Sequence, residues 1–175
     1  MFKIIAIVVA AAIAGLLAYA ATRPDTFRVS RSTVVNATPD KIYPLLDDFR
    51  RWSVWSPYEG LDPAMARTYS GPASGVGAAY AWDSKGRAGV GRMEIVQAQA
   101  PQNLKLRLDF NKPMKSSNNV TFTLEPQGAA TRVTWTMEGP APFISKLMGV
   151  IFNLDKAVGR DFEAGLAKLK AQAEA

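Results

Sequence analysis

Alternation of apolar and polar residues marks several strands in the middle of the chain. Between residues 104 and 110, leucine or phenylalanine occupies every second position, and polar or charged residues stand between them. Residues 120–125 and 132–137 alternate in the same way. A strand with this pattern buries one face and leaves the other in water, as in an antiparallel sheet covered on one side. Turn residues separate the predicted strands, which are residues 27–35, 66–70, 77–84, 88–98, 103–110, 116–126 and 131–138.

A helical period replaces this alternation near the C-terminus. Within residues 143–172, apolar side chains recur at spacings of three and four and form one stripe, whose clearest members are Val158, Phe162, Leu166 and Leu169. Charged residues lie mostly off this stripe, as expected for an amphipathic helix that packs on a sheet. We therefore predict a long C-terminal helix that is interrupted in its first part by Gly149 and Asn153.

A shorter helix is predicted after the first strand. Thr38 suits the N-cap, Pro39 suits the first helical position, and Asp40 meets the positive end of the helix dipole. Pro44 lies just past the first turn, where its missing N–H shortens or kinks a helix. The sequence therefore predicts a short, irregular helix that ends near Arg50.

The N-terminal stretch is apolar on every side. Residues 4–21 form 18 consecutive uncharged positions. As a helix this run is about 27 Å long, and it can just span a bilayer core of about 30 Å. Such a run predicts an uncleaved signal anchor, whereas the small residues Ala18 and Ala20 also fit the cleavage pattern of a secretory signal. Both alternatives export the rest of the chain. We expect a membrane contact through residues 4–21 and a domain on the periplasmic or extracytoplasmic side, released if the segment is cleaved.

Together these elements predict an α+β fold. The order is strand, short helices, six strands and a long helix, preceded by one transmembrane helix. A seven-stranded antiparallel sheet wrapped around one C-terminal helix has a concave apolar face that a single helix does not fill. Because small-molecule sites are concave and mostly apolar, we expect a ligand cavity between sheet and helix. The predicted domains are residues 1–23, the transmembrane anchor or signal segment, and residues 24–175, the ligand-binding domain.

Composition removes several kinds of chemistry. The chain has no cysteine and no histidine, which excludes zinc-thiolate and imidazole sites, a Ser-His-Asp triad and a cysteine nucleophile. We therefore expect no metal site and no cofactor. The formal net charge is +6. Since the charges are dispersed and form no basic stripe with interleaved aromatics, no nucleic-acid partner is expected either.

Acid–base catalysis would require a carboxylate near apolar surroundings, and the candidates are Glu59, Glu94 and Asp109. Asp109 alternates onto the polar face. Glu94 stands between Met93 and Ile95, so it is also expected to point outward unless a β-bulge changes the register. Because no two of these groups form an evident acid–base pair, we assign no catalytic residue, and the sequence favours binding over catalysis.

Five short segments carry a family resemblance: residues 36–43 (NATPDKIY), 49–57 (FRRWSVWSP), 69–72 (YSGP), 75–77 (GVG) and 161–169 (DFEAGLAKL). In these segments the chain resembles the START/Bet v 1-like (SRPBCC) superfamily, whose fold is the helix grip. Within it, the chain is similar to the bacterial polyketide cyclase/dehydrase and lipid-transport group, which often carries an N-terminal membrane helix. The resemblance implies the fold rather than one activity, since the superfamily includes lipid carriers, polyketide cyclases, hormone receptors and co-chaperones.

The concave face and the resemblance together suggest a set of ligand-binding residues. Aromatic and methionine side chains on the inner strand faces would make an adaptable apolar wall. The candidates are Trp55, Tyr80, Trp82, Met93, Phe110, Phe122, Trp135, Met137, Phe143, Phe152 and Phe162. The apolar stretch 143–152 is interpreted in three ways: as a lid, as a patch that touches the membrane, or as the first turns of the C-terminal helix packed on the sheet.

The expected function is membrane-anchored binding, and by extension transport, of a small apolar or lipid-like molecule. Two alternatives stay open. A polyketide cyclase/dehydratase-like enzyme would have an acid or base buried in the cavity. A co-chaperone-like interaction domain would instead show a filled core and an exposed apolar patch.

Overall fold

The computed structural model describes the backbone of residues 1–175 and the side chains of all but Ile151. Its centre is an antiparallel sheet of seven strands: β1 (Thr26–Val35), β2 (Ala66–Ser70), β3 (Ala79–Asp83), β4 (Val90–Gln99), β5 (Asn103–Lys112), β6 (Ser116–Gln127) and β7 (Ala130–Pro140). The strand order is β1-β7-β6-β5-β4-β3-β2. Each strand predicted from the alternation is present, and its ends lie within two residues of the expected ones.

The helices complete an α+β helix-grip fold, as the sequence predicted. They are α1 (Phe2–Ala21), α2 (Pro39–Ile42), α3 (Phe143–Ile151) and α4 (Leu154–Glu174). The long C-terminal helix α4 packs against β1, and it also contacts β7, α2 and the 3₁₀ turn at Phe49–Val54. Because the main strand contacts of α4 are with β1 and β7, α4 leaves part of the inner face of the sheet uncovered.

The C-terminal region is two helices rather than one. Phe152 has an extended backbone, with φ −111° and ψ 119°. The side chain of Asn153 then accepts a hydrogen bond of 2.8 Å from the backbone N–H of Lys156 and so caps α4. The expected interruption at Asn153 is therefore confirmed. The expected interruption at Gly149 is wrong, because that residue lies inside α3.

The short helix after β1 is smaller than predicted. Helix α2 ends at Ile42, and 3₁₀ turns follow at Tyr43–Leu45 and Phe49–Val54. The side chain of Asp48 accepts a hydrogen bond of 2.9 Å from the backbone N–H of Arg50, which begins the second turn. The expected helix end near Arg50 is therefore wrong, because Pro44 keeps the chain in tight turns instead of a continuous α-helix.

An arginine and a glycine fix α4 to the first strand. Arg31 donates from Nε to Glu163 at 2.8 Å and from Nη2 to the Asp155 carboxylate at 2.9 Å. Its guanidinium lies directly over Gly159, where an added Cβ would lie only 2.8 Å from Nε. A larger residue at position 159 would displace the guanidinium of Arg31 and disturb its pairing with Asp155 and Glu163.

Candidate ligand cavity

A cavity of about 920 Å³, partly open to solvent, lies between the concave face of the sheet and the two C-terminal helices. Its wall is mainly apolar and includes Val29, Met65, Trp82, Met93, Leu108, Phe110, Val120 and Met137. Most of these residues face inward because alternate positions of a strand share one face. The volume falls within the range of about 300–1,000 Å³ that is usual for small-molecule sites.

An aromatic cluster fills the part of the concave face next to the cavity. Under α4, the ring of Phe162 stacks on Trp135 with their centroids 4.0 Å apart. Trp135 in turn meets Phe122 at 5.1 Å and Trp55 at 5.6 Å. Gly165 allows this contact, since a Cβ there would lie 2.9 Å from the Trp135 ring. The cluster supports α4, and the cavity begins where the cluster ends.

The indole of Trp82 lies against the cavity wall because Gly91 on the neighbouring strand leaves room for it. Its indole N–H donates to the carbonyl of Ala88 at 2.9 Å, and Phe110 packs edge-on at 5.7 Å. Gly91 pairs with Trp82 in the sheet, and a Cβ there would lie 2.6 Å from the ring. Without a side chain at position 91, the indole lies across the strand and forms a smooth apolar surface.

Eight of the predicted ligand-binding residues line this cavity: Tyr80, Trp82, Met93, Phe110, Trp135, Met137, Phe152 and Phe162. Among the described lining residues, Trp55, Phe122 and Phe143 are absent. Trp55 and Phe122 are fully buried in the aromatic cluster, where the indole N–H of Trp55 donates to the carbonyl of Leu45 at 2.8 Å. Phe143 lies at the exposed beginning of α3. The alternation correctly gives the face of Phe122, but not that Trp52 and Trp55 cover it.

Three carboxylates are among the described lining residues, Glu59, Asp155 and Asp161, and Glu59 is the first of them along the chain. The Glu59 side chain is only 9% exposed, and the residue lines the cavity. Its Oε1 accepts a hydrogen bond of 2.6 Å from the hydroxyl of Tyr80, and its Oε2 accepts one of 2.7 Å from Nε of Arg67. Burial, together with this hydrogen bond to Glu59, raises the pKa of Tyr80 above its ordinary value and keeps the phenol protonated.

The sequence named Glu59 but gave no sign of its two partners. Arg67 is on β2 and Tyr80 is on β3, and Thr68 and Ala81, which follow them, are paired across the two strands. The loop before β2 brings Glu59 back to this edge of the sheet. Tyr69 stacks on Tyr80, with centroids 5.2 Å apart. The approach of Glu59, Arg67 and Tyr80 depends on the register of β2 against β3. The alternation of apolar and polar residues does not determine that register.

The other candidate carboxylates point away from the cavity, as predicted. Glu94 pairs with Arg92 at 2.6 Å, and the two register shifts of β4 lie on either side of it, between Val90 and Gly91 and between Ile95 and Gln97. Asp109 accepts a hydrogen bond from the hydroxyl of Ser117 on the outer face. Among the residues that the structure describes, no three acidic side chains come together as a metal site.

Helix α3 forms one side of the cavity mouth. Ile144 and Phe152 line the cavity and are 52% and 65% exposed, and Met148 is 46% exposed. The side chain of Ile151, in the same apolar stretch, lies outside the described residues. Helix α3 also contacts α1. Lys146 reinforces this arrangement by pairing with Asp25 at 2.6 Å, and that pair lowers the pKa of the Asp25 carboxyl.

Comparison with known proteins agrees with this architecture. The family model described as "Polyketide cyclase / dehydrase and lipid transport" matches residues 26–174. A solved protein of Chromobacterium violaceum is 16% identical with a TM-score of 0.60, over 87% of this chain and 99% of its own. A protein of Nitrosospira multiformis is 18% identical with a TM-score of 0.60, over 83% of this chain and 95% of its own. DynU16, from the dynemicin biosynthetic locus, is 18% identical with a TM-score of 0.58, over 87% of this chain and 48% of its own. At these identities the likeness shows the fold alone, and no curated protein matches the sequence significantly.

Proposed function

The chain belongs to the polyketide cyclase/dehydrase and lipid transport family, and from this premise we propose that it binds a small apolar or lipid-like molecule at a membrane surface. The observation that carries the proposal is the cavity of about 920 Å³ with its aromatic and methionine wall. Burial of apolar ligand surface contributes roughly 25 cal/mol per Å². A wall of aromatic and methionine side chains therefore contributes binding free energy and can adapt to ligands of different shapes.

Helix α1 is proposed as the membrane anchor. It has 20 residues with a mean hydropathy of 2.6, and at 1.5 Å per residue it is about 30 Å long, the thickness of a bilayer core. Residues 1–23 would then be the anchor, and residues 24–175 the ligand-binding domain outside the cytoplasmic membrane. Resistance of the native protein to alkaline carbonate extraction, with an intact mass that includes α1, supports this. A mass that corresponds to cleavage after Ala20 would instead make the domain a periplasmic protein.

The position of the cavity mouth suggests how a ligand would enter. Arg23 and Pro24, which directly follow α1, line the cavity together with Ile144 of α3. An anchor that ends at the mouth places the opening close to the lipid headgroups. The exposed apolar side chains of α3 would then face the bilayer surface, where burial of such groups is favourable. A movement of α3 would connect the cavity with the membrane.

A cyclase- or dehydratase-like enzyme is the second candidate, and Glu59 is the observation that favours it, because it is a carboxylate in the cavity wall. Both of its oxygens already accept hydrogen bonds from protein side chains. We therefore rank proton transfer below binding. Mass spectrometry of a bound ligand before and after prolonged incubation distinguishes the two. An unchanged molecule supports a carrier, and loss of water supports a dehydratase.

Binding is tested by occluding the mouth. Gly149 lines the cavity, and a Cβ there would meet nothing within 4 Å, so Gly149→Phe adds a ring to the opening without a backbone clash. Gly60 has equally open surroundings and is not among the lining residues that the structure describes. Gly60→Phe is therefore the matched control.

The probe is N-phenyl-1-naphthylamine, which is neutral and absorbs where tryptophan emits. The full chain is placed in lipid nanodiscs. All four tryptophans lie in residues 24–175, so energy transfer from tryptophan, after subtraction of the signal from protein-free nanodiscs, reports probe close to the domain, and its saturation distinguishes binding from partitioning into the bilayer. We expect saturable binding that Gly149→Phe weakens about tenfold, equivalent to about 1.4 kcal/mol, and that Gly60→Phe leaves unchanged. Equal binding by all three proteins would contradict the proposal.

A further inference from the structure

We propose that Glu59, held by Tyr80 and Arg67, is the acceptor for the hydroxyl group of a neutral, otherwise apolar alcohol bound in the cavity. The inference rests on the proposed function and adds a ligand class to it. A long-chain or polycyclic alcohol would place its hydrocarbon body against the methionine and aromatic wall, and its hydroxyl would donate to the carboxylate.

The carboxylate is fixed in position before any ligand arrives. Arg67 donates to one oxygen of Glu59 and also, from Nη2, to the backbone carbonyl of the same residue at 2.9 Å. Its Nη1 donates to the carbonyl of Met65 at 2.9 Å. The three hydrogen bonds that Arg67 donates and the one from Tyr80 hold the carboxylate of Glu59 in a defined orientation. A preorganised acceptor binds more tightly because little conformational entropy is lost when the ligand docks.

The acceptor also has unused capacity. An ionised carboxylate offers about four lone-pair positions, and the side-chain hydrogen bonds to Glu59 use two of them. With a side chain only 9% exposed, the carboxylate has little access to water for the remaining positions. A donor carried by the ligand would therefore satisfy them, and a ligand without a donor would bury them further.

The charge of the ligand's polar group determines whether it fits beside Glu59 and Arg67. Arg67 compensates the negative charge of Glu59 through a direct ion pair of 2.7 Å. A cationic amine would add a positive charge beside this arginine, and a fatty-acid carboxylate would add a negative charge beside Glu59. Burying an uncompensated charge is unfavourable in an apolar site. A neutral hydroxyl adds a donor without adding a charge.

The other acidic groups at the cavity do not offer the same site. Asp155 is engaged by Arg31 and its side chain is 58% exposed. Asp161 is partly exposed on α4. Among the described carboxylates that line the cavity, Glu59 alone combines deep burial with two fixed side-chain partners.

The experiment compares three probes of the same length: 1-decanol, methyl nonyl ether and decanoate. Each displaces N-phenyl-1-naphthylamine from the full chain in nanodiscs, and the aqueous concentration of each probe is corrected for its partitioning into protein-free nanodiscs. The ether keeps the oxygen but lacks the donor, so the ligand pair tests the hydrogen bond without altering the protein. We expect decanol to bind about tenfold more tightly than the ether, equivalent to about 1.4 kcal/mol, and more tightly than decanoate.

Variants of the protein then test whether Glu59 causes the preference for decanol over the ether. Glu59→Gln keeps the shape but removes the charge, and it should reduce the preference for decanol over the ether to less than about threefold. Glu94→Gln is the matched control, because Glu94 also pairs with an arginine and is absent from the described lining of the cavity. It should keep the full preference.

The outcomes separate the two proposals. If decanol and its ether displace the probe equally from the native chain, or if decanoate binds best, the hydroxyl site is refuted while apolar binding in the cavity stands. If the preference survives Glu59→Gln unchanged, the charged carboxylate of Glu59 is not the group that selects the hydroxyl, and the proposal is overturned. If none of the three ligands displaces the bound probe, the hydroxyl site is refuted as well; if the probe itself does not bind the native chain saturably, the proposed function fails. Since the comparison of ligands uses the native protein, misfolding of a variant does not remove the test.

Discussion

Replacing Phe162 with alanine tests how α4 is held on the sheet. The side chain is 1% exposed, and its ring lies almost parallel to Trp135, at 4.0 Å and 8°. Truncation of a buried phenylalanine to alanine costs about 3–5 kcal/mol. Because one edge of Phe162 borders the cavity and has fewer packed neighbours to lose, we expect the lower end, about 3 kcal/mol.

Phe152→Ala is the matched control, since that side chain is 65% exposed and should change the free energy of unfolding by less than about 0.5 kcal/mol. Urea unfolding of the full chain in detergent micelles, followed by tryptophan fluorescence, measures both variants. The dependence on urea concentration should stay the same, because neither change alters the surface exposed on unfolding. A difference below about 1 kcal/mol between the two variants would refute the packing of α4 described here.

Three further predictions concern other parts of the molecule. Gly91→Ala should displace Trp82, since the new Cβ would lie 2.6 Å from its ring; the cost is about 1–3 kcal/mol, visible as a lower unfolding temperature and a changed near-ultraviolet circular dichroism spectrum. Arg31 lowers the pKa of Asp155 from its ordinary 3.8, so the stability from this pair is present above pH 3.8 and is lost as the pH falls through the lowered pKa. Asp155→Asn should therefore destabilise the protein at pH 7 but not near pH 2, and an equal effect at both would contradict the assignment. Met148→Ser on the exposed face of α3 should leave stability unchanged but slow the transfer of probe from vesicles to protein, measured by stopped-flow fluorescence; an unchanged rate would argue against contact of α3 with the membrane.

Much of the fold follows from local patterns that are visible in the sequence. The alternation in residues 104–110 predicts β5 because only a strand places every second side chain on one face. Asn153 is expected to interrupt the C-terminal helix, and in the structure its side chain caps the beginning of α4. Each of these patterns depends only on residues that are close together in the sequence. It therefore predicts the same element in any tertiary arrangement that buries the same face.

The site was less accessible to sequence reasoning because it depends on contacts between distant elements. Glu59, Arg67 and Tyr80 converge only through the pairing of β2 with β3 and the return of the preceding loop. Likewise, Phe122 faces inward as predicted, but it packs against Trp52 and Trp55 rather than lining the cavity, because the 3₁₀ turn at Phe49–Val54 brings these two rings over it.

Photolabelling tests the central claim most directly. A decanol analogue that carries a diazirine on its chain is bound to the full protein in nanodiscs, irradiated, and located by peptide mass spectrometry with and without excess decanol. If the alcohol binds in the cavity, labels are expected on lining residues such as Met93 and Met137. These labels should disappear when excess decanol competes. Labels confined to α1 or to the outer face of the sheet, or labels that decanol does not reduce, would contradict the central claim.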